Sequence, residues 1–434
     1  MKKKAPQTAS SAVKKMSPVV SGMMMTGTIF GSASILLPGV VSQVGVGSFF
    51  LMLFFYLILS YACTMLANYV FGDLLSKTPE NDESLRRPLQ YCTERAFGKK
   101  SWLNMLFTCI QISSNLSLVV SCTMFAATIL ESALPILPLN LNSSNLTRIW
   151  LLITFLGLLP TQMIGSFKEL GFVGPSAVFF SVTALFLVIV SGYIVQANNI
   201  LPPDPLTKSV LEKSLPWIDY TPPYTFFSVS GTIFFSLAGY MLVLPSLAAI
   251  DPDTESLNRT VTTSAICVYI LYCAAGYVTY LLFSDYVIEV SIVDTIQRIA
   301  KGAENSTLLV LAKIIEALLV LHFVCAICLA GNPVYLYLES VFTVPNEFCW
   351  KRFILRTLIF GACNLIVIVF PKLSQFVSWL GGGFLFNLAT FVPIILYLCL
   401  CETSLTTKVF CWFLFTLSLV IAIGVNYVGL AVLL

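Results

Sequence analysis

Residues 27–38 read GTIFGSASILLP, inside the first long apolar run of the chain. The run is apolar enough for a bilayer, yet these positions hold two glycines, a threonine, two serines and a proline. Two physical readings stand side by side. Gly27, Gly31 and Ser32 either let the helix unwind and free its backbone N–H and C=O groups for a ligand, or let neighbouring helices approach closely. A second stretch, GTIFFSLAGYMLVLP at 231–245, begins almost identically and also ends in proline. An interruption there would fall at Ser236, Leu237, Ala238 and Gly239.

Around these stretches the chain is a membrane protein by composition. Of 434 residues, 57% are hydrophobic and 10% charged, with mean hydropathy +0.89; a soluble domain carries roughly 25% charged residues. Runs of about 20 apolar residues, enough to cross a bilayer, occur at 17–43, 46–70, 102–131, 148–164, 171–196, 224–250, 259–283, 307–340, 352–370, 374–400 and 407–433. The expected fold is therefore an all-α membrane protein of about 11 transmembrane helices. A polar tail (1–16), expected to be disordered, precedes one membrane domain (17–434). The polar interval 71–101 is expected to hold a short interfacial helix from Pro88 to Phe97, ended by Gly98. The proline-rich loop 197–223 is expected to be extended.

Lys2, Lys3, Lys4, Lys14 and Lys15 in the tail, and Lys77, Arg86, Arg87, Arg95, Lys99 and Lys100 after the second span, place the N-terminus in the cytoplasm. The glycosylation sequons at Asn142, Asn145 and Asn305 then fall on the outer or lumenal side. The surrounding membrane is expected to be the plasma membrane or that of a lysosomal, vacuolar or vesicular compartment.

Missing chemistry narrows the function. The sequence has no GxxxxGK[ST] phosphate loop, no aspartate within a predicted span, and one histidine, His322. ATP-driven transport, intramembrane aspartyl proteolysis and histidine-ligated metal chemistry lack their groups. Secondary transport remains: no enzyme, no cofactor or metal, no nucleic-acid partner, and an ion gradient as driving force.

Taken in order, the motifs resemble the amino acid/auxin permease family of the larger amino acid, polyamine and organocation transporters. The likeness is carried by GSASILLP (31–38), YCTERAFG (91–98), LLPTQMIGSFKELGFVGPSA (158–177), FFSLAGYMLVLPSLAAIDPDTES (234–256), GYVTYLLFSD (276–285) and FPKLSQFVSWLGG (370–382). The resemblance implies a leucine-transporter-like five-plus-five inverted repeat, here 17–196 and 224–400, plus one extra helix, 407–433. It also implies amino acid transport. The chain departs from the family pattern at Gly27, Ala33, Gly39 and Tyr240, near the expected pocket.

The expected substrate-binding group is Gly27, Thr28, Gly31, Ser32 and Ala33 in the first break and Ser236, Leu237, Ala238 and Tyr240 in the second. Span 3 adds a stripe, Asn104, Thr108, Gln111, Asn115 and Cys122, at helical spacing. From it Gln111 and Asn115 either line the cavity or bond neighbouring helices. With no charged residue near this group, a neutral amino acid bound as a zwitterion is expected. The ionisable groups deep within the spans are read as Glu316 and His322, the candidates for proton coupling. They lie six residues apart and do not share a helix face, and Lys313 can neutralise Glu316. Between Thr307 and Ser340 span 8 has no Ser or Thr to ligate sodium, so the transport is expected to be proton-coupled and sodium-independent. A competing reading is an amino acid sensor with little flux; another is a scaffold subunit that binds no substrate.

Overall fold

The computed structural model describes residues 17–31, 34–79, 83–133, 143–165, 169–198, 200, 222–237, 239–283, 292–345, 347–369 and 379–433, and no strand occurs among them. In order, the helices are α1 (Pro18–Ile29), α2 (Leu37–Val44), α3 (Val46–Ser76), α4 (Pro88–Phe97), α5 (Trp102–Ala133), α6 (Ser143–Leu158) and α7 (Val173–Ala197). They continue with α8 (Pro223–Leu237), α9 (Tyr240–Ile250), α10 (Thr254–Cys273, running on to Phe283), α11 (Ile292–Gly302), α12 (Ser306–Val341), α13 (Trp350–Val369), α14 (Phe386–Leu400) and α15 (Leu405–Leu433).

Eight of the described helical runs are long and apolar enough to cross a membrane. The other expected spans correspond to the split pair α1 and α2, to the 16-residue α6 with its tight turn at Leu159–Met163, and to the 20-residue α13. The interfacial helix expected at Pro88–Phe97 is α4, with Pro88 in its first turn and Gly98 at its C-cap. The tail 1–16, nearly all of loop 197–223, Ser32, Ala33, Ala238 and Asn142 lie outside the described residues. Asn145 falls in α6. Asn305 caps α12, its side chain accepting a bond from Leu308 N at 3.0 Å.

The 36-residue α12 is the central post, packed along α5 and α7. Helix α1 packs on α7 and α10, and α3 on α10 and α14. Apolar side chains fill these contacts, so the polar groups among them must find partners internally. The span-3 stripe shows how. Thr93 on α4 donates to Asn104 at 2.6 Å, and Gln90 on α4 bonds Gln111. Both stripe residues thus tie the interfacial helix to α5.

One expectation is corrected here. The buried ionisable groups are not confined to Glu316 and His322, because Glu339, Arg352 and Arg356 are buried as well. Glu339 accepts from Arg352 at 2.9 and 2.8 Å and from Arg356 at 2.6 Å. Arg356 also donates to the carbonyls of Gln162 and Ile164, both at 2.6 Å. In sequence these groups lie at the ends of two spans, where charged side chains ordinarily reach the headgroups. Folding instead brings the end of α12 against the start of α13 and the α6–α7 connection.

Candidate functional site

Both stretches singled out in the sequence are broken helices. Helix α1 stops at Ile29 and its continuation α2 starts at Leu37; α8 stops at Leu237 and α9 starts at Tyr240. Phe30 is extended (φ −85°, ψ 122°), and Gly31 has φ +142°, a backbone that residues with a Cβ rarely adopt. The two breaks meet: a Cβ on Gly239 would lie 2.7 Å from the Ile29 side chain and 3.2 Å from its Cα. Gly27 behaves differently. It sits within continuous helix, where a Cβ would lie 2.8 Å from the Gly174 carbonyl of α7 and 2.9 Å from Ala177 Cβ. Close packing describes Gly27, and unwinding describes Gly31.

An interrupted helix leaves carbonyls at one end and N–H groups at the other without intrahelical partners. The carbonyls of the α1 and α8 ends are partly accounted for. The Tyr272 hydroxyl of α10 lies 2.6 Å from Ile29 O and 2.7 Å from Ser236 O. Ser34 Oγ donates to Gly31 O at 2.7 Å, and Ser60 Oγ of α3 reaches Leu237 O at 3.4 Å. A hydroxyl has one proton, so Tyr272 cannot fully satisfy two carbonyls at once. The N-termini of α2 and α9, which carry partial positive charge, flank the same breaks.

His322 on α12 closes the site from the other side. It is fully buried, and its Nδ1 lies 3.0 Å from Ala177 O. A carbonyl only accepts, so Nδ1 carries a proton, and Nε2 has no hydrogen-bond partner. Nε2 faces Gly31 so closely that a side-chain carbon there would overlap the imidazole. Any second proton on this ring would sit on Nε2, against the first break.

The remaining expected residues distribute unevenly. Thr28 is buried and donates to Met24 O at 2.8 Å, within α1. Tyr240 is buried in the first turn of α9. Asn115 Nδ2 donates to Ala330 O on α12 at 2.8 Å, leaving its Oδ1 unpartnered; Gln111 is held by Gln90. Glu316 belongs to a separate knot. It accepts from Ser132 at 3.0 Å and from Gln297 of α11, with Lys313 Nζ at 3.3 Å. Sequence reasoning missed Tyr272, because a tyrosine within a span gives no signal until its distant partners are known.

A cavity of about 20 Å³, lined by Ser34, Ile35, Ser181, Thr279, Ile315 and Leu319 among others, lies beside the first break. That is room for about one water molecule. An amino acid does not fit into it without movement of the surrounding helices.

The family model "Transmembrane amino acid transporter protein" matches residues 14–432. No curated protein matches the chain in sequence. Solved structures do match in fold. The crystal structure of MhsT in complex with L-phenylalanine aligns with TM-score 0.58 at 14% identity, covering 96% of this chain and 100% of that one. The substrate-bound outward-open state of a Na+-coupled sialic acid symporter aligns with TM-score 0.58 at 13% identity, covering 95% of this chain and 88% of that one. The chain is thus an all-helical, multi-pass membrane protein with the leucine-transporter type of fold.

Proposed function

The chain belongs to the transmembrane amino acid transporter family, and on that premise we propose that it carries neutral amino acids, bound at the two helix breaks and driven by protons rather than sodium. The observation that carries the reading is the meeting of carbonyl-rich ends of α1 and α8 at Tyr272, beside the N-termini of α2 and α9. Freed carbonyls suit an ammonium and helix N-termini suit a carboxylate, which together describe a zwitterion. Tyr272, His322 and Ser34, the side chains brought to the break, carry no fixed charge that would pair with a charged substrate side chain. Within this reading the halves 17–196 and 224–400 are the two repeats, and each begins with its broken helix.

His322 is the proton site in this proposal. Its ring stands between the first break and α12, where a sodium ion bridging those elements would need oxygen ligands. Its Nε2 is the buried position able to gain or lose a proton there. Glu316 takes the structural part, since Lys313, Ser132 and Gln297 already occupy its carboxylate.

The test is uptake of labelled neutral amino acids into proteoliposomes under an imposed pH or sodium gradient, with saturable binding measured on the same preparation. Uptake driven by the pH gradient alone is the expected result. Uptake driven by sodium alone would overturn the proton assignment. Binding without flux under every gradient would overturn the carrier and leave a sensor.

A further inference from the structure

A second cavity lies away from the breaks. Of about 470 Å³, it opens between α1, α7 and α10, with Val19, Met23, Val178, Val182, Cys267 and Ile270 in its walls. The volume is that of a ligand site. Gly22 lines it, and a Cβ there would find only Thr260 O, at 3.9 Å, so a larger side chain has open space to fill. At its floor Thr26 Oγ1 and Ser264 Oγ bond each other at 2.8 Å, so the polar atoms beneath it are already satisfied.

Its rim carries Arg259, at the same end of the protein as Pro18, whose carbonyl lies 3.5 Å from Thr260 Oγ1. By the charge distribution of the sequence this is the cytoplasmic end. Arg259 pairs with Glu255 one turn away, and both side chains are 73% exposed. Such a surface pair holds its partners weakly, so the guanidinium remains available to a phosphate, for which its fork is suited.

We propose that this groove binds an anionic phospholipid of the cytoplasmic leaflet, its acyl chain between α1, α7 and α10 and its headgroup on Arg259, which favours a headgroup of net negative charge over a zwitterionic one with the same phosphate. An apolar slot with one cation at its headgroup-side rim matches that molecule at both ends. A sterol would leave Arg259 unused. This inference rests on the groove and not on the identity of the transported substrate.

The test uses the full chain in nanodiscs with phosphatidylserine or phosphatidylcholine bearing a photoreactive acyl chain, and mapping of the cross-linked peptides. Cross-links at Met23, Cys267 and Ile270 are expected, favouring phosphatidylserine about fivefold, which is what one basic side chain near the surface contributes. Arg259→Gln should remove that preference while keeping the cross-links. Gly22→Leu should block both lipids; Val182→Trp, from a different helix, repeats that test if Gly22→Leu does not fold. Equal labelling by the two lipids in the unaltered chain, preference surviving Arg259→Gln, labelling undiminished by a groove-filling variant that folds, or displacement of phosphatidylserine by a sterol would each overturn the proposal.

Discussion

The hydroxyl of Tyr272 lies 2.6 Å from the carbonyl oxygen of Ile29, the last residue of α1, and so joins α10 to the point where the first helix comes undone. The same oxygen is 2.7 Å from Ser236 O at the end of α8. One phenol therefore holds both interrupted helices. Its single proton leaves carbonyl capacity over, which an ammonium group with three N–H donors would use.

Tyr272→Phe keeps the ring and removes that hydroxyl. Leaving buried carbonyls short of a donor costs about 1–3 kcal/mol in the substrate-free protein, a cost that a bound ammonium would relieve, so substrate affinity should rise, by up to roughly 5- to 150-fold. Equilibrium binding of a labelled neutral amino acid checks it, and unchanged affinity would remove Tyr272 from the site.

Gly31→Ala should abolish uptake, since it strains a backbone at φ +142° and drives a methyl into the His322 ring. If the overlap with His322 is the main cause, the same substitution in a His322→Ala background should cost less, with a coupling of about 1 kcal/mol or more expected for residues in contact. Purely additive losses in a thermal-stability cycle would show that backbone strain alone is responsible.

His322→Gln keeps a polar side chain that does not titrate. Uptake driven by a pH gradient should drop to its gradient-free rate, while exchange of internal for external substrate persists. Retained acceleration by the gradient would place the coupling proton elsewhere.

Glu339→Gln should destabilise the protein strongly, because Arg352 and Arg356 would then be buried against a neutral amide. Breaking a buried pair by removing one partner costs roughly 3–5 kcal/mol, visible as a lowered melting temperature in detergent. Arg356→Lys tests geometry separately. It retains the charge but loses the fork that reaches Glu339, Gln162 O and Ile164 O together. A loss comparable to that of Glu339→Gln is expected.

The breaks were legible because unwinding leaves a local signature: glycine, hydroxyl and proline residues inside an apolar run. Helix α4 was legible for the same reason, its proline start and glycine end lying ten residues apart. His322 stood out by rarity alone. That Nε2 faces Gly31 was not legible, because the two residues are distant in sequence and no periodicity joins them. The Glu339 cluster was missed for a related reason. A carboxylate at the end of one span and arginines at the start of the next read as interfacial, and only their packing together shows burial. In the span-3 stripe the spacing gave no sign that Gln111 would meet Gln90 on α4 while Asn115 would meet Ala330 on α12.

Helix α12 is fastened at two points along its length. Toward its start Glu316 ties it to α5 and α11 through Ser132 and Gln297; at its end Glu339 ties it to α13. A rod pinned at two such separated points resists tilting, so the helices carrying the breaks are expected to move against it. Spin labels on α12 and α13 should then keep one separation throughout a transport cycle, while a label on α1 changes its distance to both.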